Sequence, residues 1–265
     1  MSTSSSTPKL GQHWLKDPKI LQTIADYADI SSDDFVIEIG PGLGTLTSKL
    51  LKSGAEVLAV EYDPDLAKNL IGSFPNKPTL KVQNSDIRTF NFTELKPGYK
   101  LVTNLPYYIS GIFFRILIDT ENKPSVAVVL VQQEVAQKMA ESPELGSSNK
   151  LAMLAAYYYR TELGIKVSAK SFSPPPKVTS QVIILTPREE PLFPQLNFKD
   201  YSRFVKFAFS SPRKTLENNF AAGLHLPKSD ISELLKPLDL NLETRAEQLN
   251  MEQWSELFDI LSKLK

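Results

Sequence analysis

Asn104-Leu105-Pro106-Tyr107 sets an amide, a peptide carbonyl and an aromatic ring around a proline that fixes the backbone between them. This set can grip a planar, amino-bearing base. The Asn104 side-chain oxygen and the Leu105 carbonyl can accept both hydrogens of an exocyclic amine, and Tyr107 offers a face for stacking. An adenine N6 amine is a poor nucleophile because its lone pair is delocalised into the ring. Accepting both hydrogens favours the pyramidal nitrogen reached during attack, so positioning and electrostatic fit can carry the reaction. Neither a metal nor a covalent nucleophile is needed. With no cysteine among 265 residues, thiol nucleophiles, disulfides and zinc-thiolate centres are excluded, and two histidines, His13 and His225, make a histidine-rich metal site unexpected. Phe172-Ser173-Pro174-Pro175-Pro176-Lys177 is the second expected element of a base pocket. Its stiff prolines would present Phe172 as the opposite jaw of a stacking clamp, suited to an unpaired or flipped-out base, and Lys177 could meet a phosphate.

Upstream, Glu38-Ile39-Gly40-Pro41-Gly42-Leu43-Gly44 leaves an apolar run through a glycine turn. Glycines at 40, 42 and 44 let backbone approach a ligand without a Cβ in the way, and the following helix offers its amino end. Glu61 closes the next candidate strand, where a carboxylate can accept both ribose hydroxyl hydrogens. Those features suit a dinucleotide and S-adenosylmethionine equally. Asp86, closing the third strand in Asn84-Ser85-Asp86-Ile87, favours the latter, since it can accept from an adenine amino group. Three carboxylates at consecutive strand tips, Glu38, Glu61 and Asp86, also suit a cationic sulfonium better than a phosphate.

The elements that must hold these groups alternate short β-rich runs with helical patterns, as in a parallel sheet covered on both faces. Strands are expected over 35–39, 56–61, 79–83, 100–103 and 126–132, with a terminal hairpin pair over 166–171 and 180–186. Helical spacing falls over 45–53, 64–73, 109–119 and 133–141, and 141–149 reads as a polar loop. Pro187, Pro191 and Pro194 then break regular structure, and beyond them only helical signals remain, over 201–209, 215–222, 229–236 and 251–264. The expected organisation is an α/β domain over 1–188 and a small all-helical domain over 189–265.

Formal net charge is zero, but cations cluster. Arg160 to Arg188 holds five basic residues against Glu162 alone, and Lys199 to Glu217 holds five against Asp200 and Glu217. Local patches set the field that a phosphate backbone meets. Residues 1–7 lack the apolar core of a signal peptide, and no apolar run approaches the roughly 20 residues that cross a bilayer. A cytoplasmic protein without a membrane partner is the default expectation.

From Leu10-Gly11-Gln12-His13-Trp14-Leu15 to Arg245-Ala246-Glu247-Gln248-Leu249, the chain resembles the KsgA-type ribosomal RNA adenine dimethyltransferases. The resemblance implies a Rossmann-like class I S-adenosylmethionine-dependent methyltransferase domain followed by a helical domain that helps dock RNA. It implies a donor site of His13, Leu15, Gly40, Glu61, Asp86 and Asn104, and a base site of Asn104, Leu105, Tyr107 and Phe172. It further implies N6,N6-dimethylation of two neighbouring adenines in the 3′-terminal hairpin of small-subunit (16S-type) RNA, by a monomer acting on an immature 30S-type particle. Trp14 stands where the family usually has phenylalanine, and Ser147-Ser148-Asn149-Lys150-Leu151 departs from the common run after the loop. Ser211-Pro212-Arg213-Lys214-Thr215-Leu216 with Asn218-Asn219 keeps a helical-domain signature that favours the small-subunit substrate. The alternatives are a large-subunit RNA adenine methyltransferase of the macrolide-resistance type, a ribosome-assembly factor with little turnover, and DNA adenine methylation.

Overall fold

The computed structural model of the chain describes residues 13–241 and 243–263. Among these residues two compact units emerge, one running up to 137 together with 161–187 and one of 138–160 together with those from 188 onward.

The first unit is built on a seven-stranded sheet in the order β4-β3-β2-β5-β6-β9-β7. Its strands are β2 (Phe35–Ile39), β3 (Glu56–Glu61), β4 (Leu80–Asn84), β5 (Lys100–Asn104), β6 (Val126–Gln132), β7 (Tyr159–Val167) and β9 (Ser180–Pro187). β2, β3, β4, β5 and β6 pair in parallel, and β9 runs antiparallel to β6. The central strands are nearly continuous apolar runs because helices cover both of their faces: Val36, Ile37, Leu101, Val102 and Ala127 to Leu130 are all fully buried. Pairing order reverses between β2 and β5. That crevice beyond the carboxyl ends of the strands is where ligands bind in open α/β sheets.

Helices start where the sequence supplies caps. Asp17 and Asp63 each accept backbone N–H groups at the head of a helix that opens on proline, Pro18–Asp26 and Pro64–Ser73. A separate two-stranded ladder joins β1 (Trp14–Leu15) to β8 (Phe172–Ser173), with Trp14 opposite Ser173 and Leu15 opposite Phe172. Leu10, Gly11 and Gln12 lie outside the described residues.

The second unit is helical, with helices Lys150–Ala156, Phe198–Ala208, Leu216–Leu224, Lys228–Leu235 and Met251–Ser262. Its core gathers Met153, Tyr157, Phe193, Tyr201, Phe204, Phe220, Trp254 and Phe258. A break at 188 is where the chain leaves the sheet, but residues 138–160, expected in the α/β segment, pack with the helices instead. The cause is aromatic burial: the Tyr157 hydroxyl donates to the Leu196 carbonyl at 2.7 Å and the Tyr201 hydroxyl to that of Met153 at 2.6 Å. The α/β fold with a trailing helical part matches the sequence expectation. The terminal pair does not match in extent, since β7 begins at Tyr159 and ends at Val167, and 169–171 forms a single helical turn. Among the described residues no helix is long and apolar enough to cross a membrane.

Candidate active site

Gly40, Gly42 and Gly44 all adopt the left-handed backbone region, with φ of 65°, 56° and 76°. The turn is also sterically closed to side chains. A Cβ on Gly40 would lie 3.1 Å from Pro106 Cδ, and one on Gly42 would lie 2.9 Å from Trp14 Nε1. The glycine turn therefore packs directly against the proline of Asn104-Leu105-Pro106-Tyr107, so the two sequence motifs meet at the switch point. Backbone pairing fixes this meeting: the Gly40 N–H donates to Val60 O at 2.9 Å, the Thr103 hydroxyl donates to Ile39 O, and the Leu105 N–H donates to Leu130 O at 3.1 Å.

Two adjoining recesses result. A narrow one of about 50 Å³ is lined by His13, Trp14, Glu38, Gly40, Asn104 and Tyr107 among others. A wider one of about 360 Å³ lies between Glu61, Asp86, Tyr62, Tyr108 and Ile112, with Ile39, Val60 and Ile87 in its walls. Glu61 is buried, and both of its oxygens accept backbone donors, Oε2 from Gly42 at 3.1 Å and Oε1 from Asp63 at 2.9 Å. Each oxygen keeps a further lone pair for a ligand. Asn84 ties the end of β4 to the end of β3 through the Glu61 and Tyr62 carbonyls, which brings Asp86 beside Glu61. The Arg88 guanidinium grips the Asp86 carboxylate and holds it below the usual carboxylate range.

No hydrogen-bond partner of the Asn104 side chain is recorded among the described residues, so its amide stands ready at the end of β5. Tyr107 is fixed from two sides: its hydroxyl shares a hydrogen bond with Ser180 Oγ at 2.6 Å, and its ring lies 5.7 Å from that of His13. His13 Nδ1 lies in turn 2.8 Å from Pro174 O, which links the leading segment to the proline run.

Two expected site residues carry their side chains into the core. Leu15 is fully buried and Phe172 nearly so, both within the apolar cluster that includes Val102, Val128 and Val182. Side chains alternate along a strand. Because Leu15 and Phe172 face each other across the β1–β8 ladder, both turn into the core, while Trp14 turns outward over Gly42. The Phe172 ring therefore braces the segment from inside. The residues that sequence reasoning did not assign to the site are Trp14, Tyr62, Arg88, Tyr108 and Ser180. Tyr62 and Tyr108 directly follow Glu61 and Tyr107, and that adjacency was the available signal.

Residues 3–263 match the sequence profile of a family described as ribosomal RNA adenine dimethylase. The chain belongs to that family. It is accordingly a methyltransferase of ribosomal RNA adenine, with S-adenosylmethionine as the methyl donor. A protein named ribosomal RNA small subunit methyltransferase A from Dehalococcoides mccartyi is 36% identical over 251 residues, covering 94% of this chain and 86% of that protein. Its namesake from Acaryochloris marina is 37% identical over 260 residues, covering 95% of each. Among solved structures, a dimethyladenosine transferase from Plasmodium falciparum superposes with a TM-score of 0.76 at 26% identity, covering 92% of this chain and 96% of that one. The 23S rRNA methyltransferase ErmE gives 0.74 at 26% identity, covering 94% and 99%.

The residues present fit this family's donor. Glu61 and Asp86 offer acceptors for a ribose and an adenine amine, apolar and aromatic walls flank them, and the glycine turn forms a cradle that any Cβ would fill. Glu38 contributes differently from the other two carboxyls. Burial, together with the nearby charge of Glu61, pushes its pKa up to about 8, although the Thr47 hydroxyl donates to it at 2.6 Å. At neutral pH it is a protonated strut between β2 and the following helix.

That burial has a thermodynamic consequence. A carboxyl whose folded pKa is raised contributes stability that is fully present below the unfolded value of 4.5 and is lost as pH rises through the folded value of about 8. Glu38→Gln keeps an acceptor for Thr47 and cannot ionise. Thermal melts between about pH 5 and about pH 9 should show the parent losing several degrees as pH rises while the variant stays nearly flat. Parallel curves would contradict a neutral Glu38.

Proposed function

We propose that this chain N6,N6-dimethylates two neighbouring adenines in the 3′-terminal hairpin of small-subunit ribosomal RNA, acting in the cytoplasm as a monomer on an immature 30S-type particle. The observation that carries the chemistry is the Asn104 amide at the switch point, which has no hydrogen-bond partner among the described residues and directly precedes the Leu105-Pro106 segment that packs against the glycine turn. The choice of small-subunit RNA is supported by relatives from Dehalococcoides mccartyi and Acaryochloris marina whose names specify that subunit. A structural reading of the helical-domain signature adds to it. Asn219 is buried and donates to the Ala208 and Ser211 carbonyls, at 2.8 and 3.1 Å, and Thr215 caps the next helix. The 209–215 loop is thereby pinned, and it presents Arg213 and Lys214 to solvent.

S-adenosylmethionine, when bound, supplies an electrophilic methyl group on a sulfonium. Glu61 would hold its ribose, Asp86 its adenine amine once Arg88 yields a lone pair, and His13 and Gly40 would border it. Asn104 Oδ1 and the Leu105 carbonyl accept the two hydrogens of the target amine and turn the nitrogen lone pair out of the base plane. Tyr107, clamped by Ser180 and His13, holds the base face. Pro106 keeps the carbonyl from rotating away, and Trp14 with His13 limits water at the narrow recess. Replacing one amine hydrogen by methyl leaves a second hydrogen for the same acceptors, so one site can serve both transfers to a given adenine.

Incubation with labelled donor and either immature small or immature large subunits tests the substrate. Label should enter small-subunit RNA, and mass spectrometry should find dimethyladenine in its 3′ hairpin. Label confined to large-subunit RNA would instead support the substrate class named for the ErmE neighbour.

A further inference from the structure

Charge in the helical unit is segregated along the chain. From 199 to 214 five cations face one carboxylate, whereas from 217 to 259 nine carboxylates face three cations. The first cluster is ordered by helix Phe198–Ala208. Its inner side buries Tyr201, Phe204, Val205 and Ala208, while Lys199, Arg203 and Lys206 are exposed. Spacings of four and three residues place these cations in one stripe, spanning roughly 60° of arc and about 10 Å of helix length. Among the described residues Lys199 and Lys206 have no carboxylate partner. Arg203 shares its charge with Asp200 at 3.3 Å, and its guanidinium lies 4.8 Å from the Phe204 ring, which steadies it. Helix Met251–Ser262 exposes Glu252, Glu256 and Asp259 at the same spacing and buries Trp254, Leu257 and Phe258. Tyr201 and Phe258 meet in the core, 5.1 Å apart. The cationic and anionic stripes therefore belong to different helices, each turned away from a shared core.

A cation stripe with one carboxylate among three cations, set on a helix, attracts a phosphate backbone, and contacts of this type set register without reading sequence. We infer that Lys199, Arg203 and Lys206 form a docking rail for the sugar–phosphate backbone of the ribosomal RNA, separate from the pinned Arg213–Lys214 loop. This rests on the substrate reading above. The rail binds RNA through charge alone, so it raises affinity without touching the reacting atoms.

The test uses the full chain carrying Lys199→Glu, Arg203→Glu and Lys206→Glu, with binding to naked small-subunit RNA measured across a salt series. Affinity should fall at least about tenfold, and the slope of log affinity against log salt should flatten by about 2 to 3. The RNA KM should rise with kcat and donor affinity unchanged. Reversing Glu252, Glu256 and Asp259 to lysine should leave RNA binding equal or tighter. If the triple reversal melts early, the glutamine set Lys199→Gln, Arg203→Gln and Lys206→Gln should still flatten the slope. Parental affinity and slope in a folded variant would overturn the rail. So would normal binding to naked RNA with loss confined to protein-containing particles, which would assign the stripe to a protein contact. Should the parent methylate large-subunit RNA only, the substrate reading fails, and the same variants judge the rail on that RNA.

Discussion

Asn104→Ala is expected to slow methyl transfer by about two to three orders of magnitude while leaving the fold intact and donor affinity within a few-fold of the parent. Asn104 ends β5 beside Leu130 of β6, and that pairing is made by backbone, so truncating the side chain breaks no sheet bond. Its amide also has no recorded partner among the described residues, so removal orphans nothing in the resting protein. What disappears is one of two acceptors fixed in place before the amine arrives. An acceptor that engages only as the nitrogen pyramidalises stabilises the transition state more than the ground state, and its loss appears in kcat. Asn104→Asp offers the same acceptor geometry with a charge and should retain more activity than alanine. Single-turnover transfer, donor titration calorimetry and a thermal melt separate these effects. Alanine activity within about threefold of the parent would remove Asn104 from the chemistry.

The sheet and the meeting of its motifs were largely legible, because buried parallel strands announce themselves as apolar runs bounded by turns. Phe35–Ile39, Glu56–Glu61 and Val126–Gln132 match their expected bounds. Glu61, Asp86, Asn104 and Tyr107 could be placed on one rim because each follows such a run. β1 and β8 could not be read, since two residues carry no period and their partners lie about 160 positions apart. That gap is why the core-facing side chains of Leu15 and Phe172 and the place of Trp14 over Gly42 were not read. β7 is an edge strand with Arg160, Glu162 and Lys166 exposed, so its alternation is blurred and its start was missed. The first helix was legible in principle, for Asp17-Pro18 is a start signal. The assignment of residues 138–160 was not, because only the burial of Met153 and Tyr157 against distant aromatic rings decides it.

Glu61→Gln should weaken donor binding by about a hundredfold, a larger loss than one hydrogen bond to a ribose would give. The carboxylate has two tasks. Its oxygens receive the Gly42 and Asp63 backbone donors, and that pairing sets the glycine turn at the distance from β3 that leaves the recess open. Glutamine has one acceptor oxygen, so one of those N–H groups would face an amide NH2, itself a donor. Either the turn shifts or a buried donor is left unsatisfied, and the ligand also loses a charged acceptor. Glu61→Asp keeps the charge but is a methylene shorter and cannot reach both amides, so it too should bind donor poorly. At saturating donor, Glu61→Gln should retain a large part of the parental kcat, because Asn104 and Leu105 are untouched. The opposite split, normal donor affinity with kcat lost, would place Glu61 at the base rather than at the ribose. A parental profile in both quantities would mean that the Gly42 cradle holds its shape without Glu61.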